Sequence, residues 1–208
     1  MATVRVKVCG ITNKIDAQNA IAFGADAIGF IFHPASPRYV SPERVASILD
    51  GLPPFVSRVG LFVNMKVEHV RTVIAVSGVS TLQFHGEEDE STCDSFGLPW
   101  FKTIKMIEGT KVLEEISQYK KSSAILFDTG DPDLAGGTGK TFDWAMIPKS
   151  IKKPFIVAGG LTPKNVRKVV ELTKPFAVDV CSGVEQEKGK KDKAKLKDFI
   201  TFAKREEI

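Results

Sequence analysis

The sequence predicts a single-domain (β/α)8 TIM barrel over residues 1–208, and three observations carry that expectation. Eight short β-rich runs alternate with helical segments at a nearly regular interval. No Pro- or Ser-rich linker divides the chain. Polar residues end strands from both its beginning and its end, as when strand ends converge on one mouth, which favours a closed barrel over a doubly wound open sheet. At 208 residues, 43% of them hydrophobic and 26% charged, the chain is long enough to bury a full core.

The first strand is read at Val4 to Cys9, where side chains alternate with period two, so Val4, Val6 and Val8 share one face and Arg5, Lys7 and Cys9 the other. A helix ending at Gly24 leads to the second strand, Ala27 to Phe32. Ser41 followed by Pro42 opens the next helix. The third strand is Ser57 to Val63, its helix ending at Gly78. In the fourth, Thr81 to His85, the apolar Leu82 and Phe84 alternate with Thr81, Gln83 and His85. Gly97 closes the following helix before the fifth strand, Trp100 to Ile104. The sixth, Ala124 to Asp128, sets Ile125 and Phe127 against Leu126 and Asp128. The seventh, Phe155 to Ala158, is followed by Gly159, Gly160 and a helix expected to start at Thr162 and Pro163. In the eighth, Ala177 to Cys181, Val178 and Val180 flank Asp179.

The formal charge of +4 raises nucleic acid as a partner, but most of the excess lies in KGKKDKAKLKDF. There Leu196, Phe199, Ile200 and Ala203 recur at helical spacing, so the lysines are read as the wet side of a terminal amphipathic helix. No apolar run reaches the roughly 20 residues that span a bilayer, and MATVRVKVCG has no signal-peptide core. The expectation is a cytoplasmic protein without nucleic-acid or membrane partners. Cys9, Cys93 and Cys181 are widely spaced and show no ligand pattern, so reduced thiols and no metal site are expected.

If the apolar strand faces meet the helices, then Lys7, Cys9, His85, Asp128 and Asp179 all point into the barrel, where a charge is costly unless paired or used. Cys9, His85 and Asp128 fall at strand ends, the active-site level of such barrels, with Lys7 and Asp179 one layer deeper. Cys9 and Asp128 are therefore the catalytic candidates, and Lys7, His85 and Asp179 are grouped with the substrate. Lys7, two residues before Cys9 on the same face, favours the thiolate.

The glycine pairs add a second constellation. Gly159 and Gly160 follow the seventh strand, and Ser182 and Gly183 the eighth, the two loops where such barrels seat phosphate on bare backbone N–H groups. The sixth loop, DTGDPDLAGGTGKTFDW, contains GTGKT, yet a Walker A loop demands glycine where Leu134 stands, so nucleotide hydrolysis is excluded. Its glycines read instead as a cover over the mouth whose backbone reaches a phosphate.

In order along the chain, VKVCGIT, SPRYVS, LQFHG, FDT with GGTGKTFDW, AGGLTPKNV and VDVCSGVE resemble the phosphoribosylanthranilate isomerase family of tryptophan biosynthesis. The resemblance implies an Amadori rearrangement of a phosphorylated aminosugar, with Cys9 as general base, Asp128 as general acid and Arg38 holding the anthranilate carboxylate. It implies phosphate contacts at Gly137, Thr138, Gly139, Gly159, Gly160, Ser182 and Gly183, a small-molecule phosphosugar as partner, no metal or organic cofactor, and a monomer or homodimer. Cys181 stands where the family pattern usually reads serine. In a closed barrel the first strand lies beside the eighth, so Cys181 turns inward near Cys9, within reach of a disulfide. Two alternatives remain at this point: another phosphosugar-handling barrel enzyme, and a sugar-phosphate binding protein without turnover.

Overall fold

The structure is a computed structural model that describes residues 3–129 and 141–204. Eight parallel strands form a closed barrel in sequence order: β1 (Arg5–Val8), β2 (Ala27–Ile31), β3 (Ser57–Phe62), β4 (Thr81–Phe84), β5 (Trp100–Met106), β6 (Ala124–Thr129), β7 (Phe155–Val157) and β8 (Ala177–Val180). Every expected strand is present. Several end one residue early, and β5 runs two residues beyond expectation, to Met106. Closure pairs β1 with β8 in the register Val6↔Val178 and Lys7↔Asp179. The ladder carries on to Cys9, whose N–H donates to Val180 O at 2.8 Å.

Helices cover the outside: α1 (Lys14–Ala22), α2 (Pro42–Leu49), α3 (Val67–Ser77), α4 (Glu90–Asp94), α5 (Val112–Ser117), α6 (Val166–Thr173) and α7 (Lys193–Lys204). Local chemistry sets their ends. Ser41 Oγ accepts the Arg44 N–H to start α2 with Pro42 in its first turn, and Gly78, left-handed at φ +74°, stops α3.

Three expectations are corrected. Thr162 and Pro163 do not begin a helix; they form a turn in which the Asn165 side-chain oxygen accepts the Thr162 N–H at 2.7 Å, and α6 starts at Val166. Among the described residues, β6 is followed by a 3-10 turn at Trp144–Met146 rather than an α-helix. The basic stretch before α7 is not uniformly wet, because a two-stranded hairpin of β9 (Glu185–Glu187) and β10 (Lys190–Lys191) precedes the helix and buries Lys191. Helical spacing governs only from Lys193 onward, and Lys191 belongs to the hairpin.

The core has two shells divided by strand alternation. Outward residues such as Val8, Ile28, Phe84 and Phe127 pack against the helices, and inward residues Val59, Phe101, Leu126 and Ile156 fill the barrel itself. Above them Cys9, Ile31 and Leu61 form a small cluster. Among the described residues no helix is long and apolar enough to cross a membrane.

Phe84 is fully buried in the outer shell, with ring centroids 6.0 Å from Phe62, 5.8 Å from Phe96 and 6.2 Å from Trp100. Phe84→Ala removes this common contact and is expected to lower unfolding stability by about 3–5 kcal/mol in a urea titration. A loss under about 1 kcal/mol would mean that the cluster does not anchor the strand-to-helix packing.

Candidate active site

A cavity of about 420 Å3 opens at the carboxyl ends of the strands, and Cys9, Arg38, His85, Asp128 and Asp179 all line it. Strand alternation puts four of them there: Cys9, His85, Asp128 and Asp179 lie at or next to the carboxyl ends of β1, β4, β6 and β8 on the inward face, and so project toward the mouth. Gly159, Gly160, Ser182 and Gly183 line the same cavity from the loops after β7 and β8. Gly137, Thr138 and Gly139 lie outside the described residues.

At the floor of the cavity Lys7 Nζ donates to Asp179 Oδ2 at 2.8 Å in a buried ion pair. Lys7 is not among the cavity lining, so it acts on the site as a fixed charge in the floor. Burial opposes that charge, but Asp179 and Cys9 hold the ammonium above its ordinary pKa. Gly29 on β2 makes the room, since a Cβ there would stand 3.1 Å from both Cys9 Sγ and Lys7 Cε.

The environment moves the thiol and the carboxyl in opposite directions. The Cys9 thiol is held well below its usual pKa, because a hydrogen bond from Cys181 and the charges of Lys7 and Lys191 together outweigh burial. Asp128 is pushed up to about 6, first by burial and then by the neighbouring Cys9 charge, against a backbone hydrogen bond from Thr129. A thiolate and a carboxyl that keeps part of its protons near neutrality can remove and deliver protons within one cavity.

His85 is pushed down to about 3 by burial and by the surrounding lysines, so its ring is neutral. Gln83 Nε2 donates to His85 Nδ1 at 3.3 Å, which leaves the ring hydrogen on Nε2, 3.6 Å from Asp128 Oδ2. That separation is too long for a hydrogen bond, so the pair is linked by orientation and field. Cys181 packs against Cys9 as expected, with no disulfide between them, and its own pKa is raised by that contact and by burial.

Arg38 reaches the cavity from the loop after β2 and is itself buried. Its Nε donates to Glu185 Oε1 at 2.8 Å and its Nη2 to Glu185 Oε2 at 2.7 Å, a bidentate fork. Gly159 lies in the left-handed region at φ +80°, where a Cβ would stand 2.8 Å from Asp128 Oδ1. The loop after β7 therefore passes closer to the Asp128 carboxylate than a side chain would allow.

Sequence reasoning gave no role to Glu185 or Lys191. Glu185 stood at the end of VDVCSGVE, and Lys191 in the basic run, but neither shows a period that marks burial. A further pair, Lys102 Nζ to Glu88 Oε2 at 3.0 Å, is also buried, yet neither residue lines this cavity. Glu88 accepts the N–H groups of Asn64 and Gly86 and so ties the loops after β3 and β4.

The family model for N-(5'phosphoribosyl)anthranilate (PRA) isomerase matches residues 6–201. The N-(5'-phosphoribosyl)anthranilate isomerase of Marinomonas sp. (strain MWYL1) is 46% identical over 200 residues, covering 96% of this chain and 98% of that protein. The crystal structure of phosphoribosyl anthranilate isomerase from Thermotoga maritima superposes with a TM-score of 0.89 at 42% identity, covering 97% of this chain and 98% of that one. A structure of phosphoribosyl anthranilate isomerase in complex with reduced 1-(o-carboxyphenylamino)-1-deoxyribulose 5-phosphate superposes with a TM-score of 0.86 at 40% identity, with the same coverage.

The influence of Lys7 on Cys9 is open to measurement. In the double variant Lys7→Met, Asp179→Asn the cation is removed without leaving a buried carboxylate unpaired. The pH midpoint for alkylation of Cys9 by iodoacetamide is expected to rise, because the thiolate loses both the charge and the hydrogen bond of Lys7, which outweigh the Asp179 repulsion removed with them. Cys93 does not interfere, its thiol being pushed up to about 12 by burial. An unmoved midpoint would remove Lys7 from the account of the thiolate.

Proposed function

The chain belongs to the N-(5'-phosphoribosyl)anthranilate isomerase family, and from that premise we propose that Cys9 is the general base and Asp128 the general acid of its reaction. The activity is the isomerisation of N-(5'-phosphoribosyl)anthranilate in tryptophan biosynthesis. The observation that supports the two roles is that both groups line one cavity with their proton affinities shifted in opposite senses.

The rearrangement begins with a proton passed from Asp128 to the furanose ring oxygen. The bond from that oxygen to C1 breaks, and the nitrogen lone pair forms the C1–N double bond of a Schiff base. With a pKa of about 6, Asp128 keeps roughly a tenth of its protons at pH 7, against a far smaller share for an ordinary carboxyl. The Cys9 thiolate then takes the proton from C2, and the electrons of that C–H bond neutralise the iminium nitrogen to give an enolamine. Tautomerisation of the enol to the ketone completes 1-(2-carboxyphenylamino)-1-deoxyribulose 5-phosphate. Every step is a proton transfer or a carbon–oxygen cleavage that these two groups serve.

Arg38 offers its remaining guanidinium hydrogens to the substrate carboxylate, and Gly159, Gly160, Ser182 and Gly183 offer backbone donors to the phosphate. Binding both charged ends fixes the reacting carbons between acid and base. Gly137, Thr138 and Gly139 are proposed for the same phosphate. His85 and Asp179 border the substrate, and Lys7 supports it from beneath. A base that must stay a free thiolate needs a reducing compartment, which is why we place the enzyme in the cytoplasm.

Cys9→Ala and Asp128→Asn are each expected to lower kcat by about two to four orders of magnitude, followed as loss of anthranilate fluorescence. Near-full activity in Cys9→Ala would discard the proposed base. Arg38→Ala should act on the other parameter, weakening substrate binding by about 1.5–3 kcal/mol, the range for hydrogen bonds to charged groups. An unchanged KM in that variant would take Arg38 out of the site.

A further inference from the structure

We propose that Glu185, backed by Lys191, is a positioning residue that aims Arg38 and so sets the enzyme's preference for a substrate bearing a carboxylate. This inference rests on the reading that Arg38 receives that carboxylate.

An arginine on a loop has a long, freely rotating side chain and five donors that could point anywhere. Here one edge of the guanidinium is fully occupied. Nε and Nη2 are fastened to the two oxygens of Glu185, 147 residues further along the chain, and both side chains are buried. Glu185 does not line the cavity, whereas Arg38 does. The carboxylate therefore holds the arginine from behind and leaves Nη1, and the second hydrogen of Nη2, as the donors open to a ligand.

Glu185 is in turn held on its other side. Its Oε1 accepts from Lys191 Nζ at 3.1 Å and from the Gly189 N–H at 3.3 Å, and Lys191 Nζ also reaches Cys181 O at 3.0 Å. The Lys191 side chain is entirely withdrawn from solvent. The hairpin is anchored too, since the Lys191 N–H donates to Asp16 Oδ2 at 2.8 Å. Two cations around one carboxylate leave the group with one net positive charge. Lys191 thus offsets the repulsion that Glu185 would otherwise exert on an incoming carboxylate, and what Glu185 contributes is direction.

The test compares two ligands by calorimetry: reduced 1-(o-carboxyphenylamino)-1-deoxyribulose 5-phosphate, and its counterpart made from aniline, which lacks the carboxylate. The variant is Glu185→Gln with Lys191→Met, which removes one negative and one positive charge together, so the group keeps its net charge of one positive on Arg38 while the fork that aims it is lost. The carboxylate's advantage in Kd is expected to fall about tenfold, the size of one arginine's recovered rotamer freedom, with the aniline ligand binding as before. Glu185→Asp keeps every charge and retracts the carboxylate by one methylene, so it should lose part of the advantage even if the double variant folds poorly. An equal loss for both ligands would indicate a merely structural role and overturn the proposal. So would an undiminished advantage in both variants, provided that Arg38→Ala abolishes it. If Arg38→Ala itself leaves the advantage intact, the fault lies with the reading of Arg38.

Discussion

The buried pair of Lys7 and Asp179 is the constraint on which the rest of the structure depends. It spans the seam where β1 closes on β8, and the register that aligns the two residues is the register that closes the barrel. Neither charge could remain inside the barrel alone, since removing one partner of a buried pair costs about 3–5 kcal/mol. An apolar pair of similar volume would serve stability as well or better. The pair therefore has to be understood through the field it imposes on the layer above it. The absence of a side chain at Gly29 gives that field access to Cys9.

Burial alone would raise the pKa of both the thiol and the carboxyl at the mouth. What separates them is first the hydrogen bond from Cys181 to Cys9 and then the charges of Lys7 and Lys191. Cys9 faces Lys7, Lys191 and the Cys181 hydrogen bond, and its thiolate prevails, while Asp128, beside the resulting negative charge, retains protons. The two shifts are coupled, because a charged Cys9 adds to the effect of burial in keeping Asp128 protonated. His85 adds no charge of its own, and Gln83 holds its ring with the hydrogen toward Asp128. Acid and base thus come from residue types whose ordinary pKa values would assign them the opposite roles.

Arg38 stands outside this proton-handling group and is the cavity-facing member of a second electrostatic unit, whose other residues lie behind the cavity wall. The loop after β2, the hairpin after β8 and the start of α1 meet there through Arg38, Glu185, Lys191 and Asp16. The two units touch at Cys181, whose sulfur packs on Cys9 and whose carbonyl oxygen accepts from Lys191. A change in the hairpin can therefore be felt at the base as well as at the arginine.

The sequence by itself determined the barrel and the inward set of site residues, because alternation along a strand is a local property. A run such as Val4 to Cys9 decides which side chains share a face before any partner strand is present. Glycine pairs after two strands and the six motifs in register were legible for the same reason. Thr162 and Pro163 misled because capping residues also make turns, and Lys191 misled because composition does not say where a hairpin ends and a helix begins. Only the tertiary structure decided that Glu185 grips Arg38, that Lys191 is buried beneath both, and that Lys7 acts from the floor without lining the cavity. Those contacts join residues far apart in the chain, and the direction of a long charged side chain depends on the field and the packing that the closed barrel supplies.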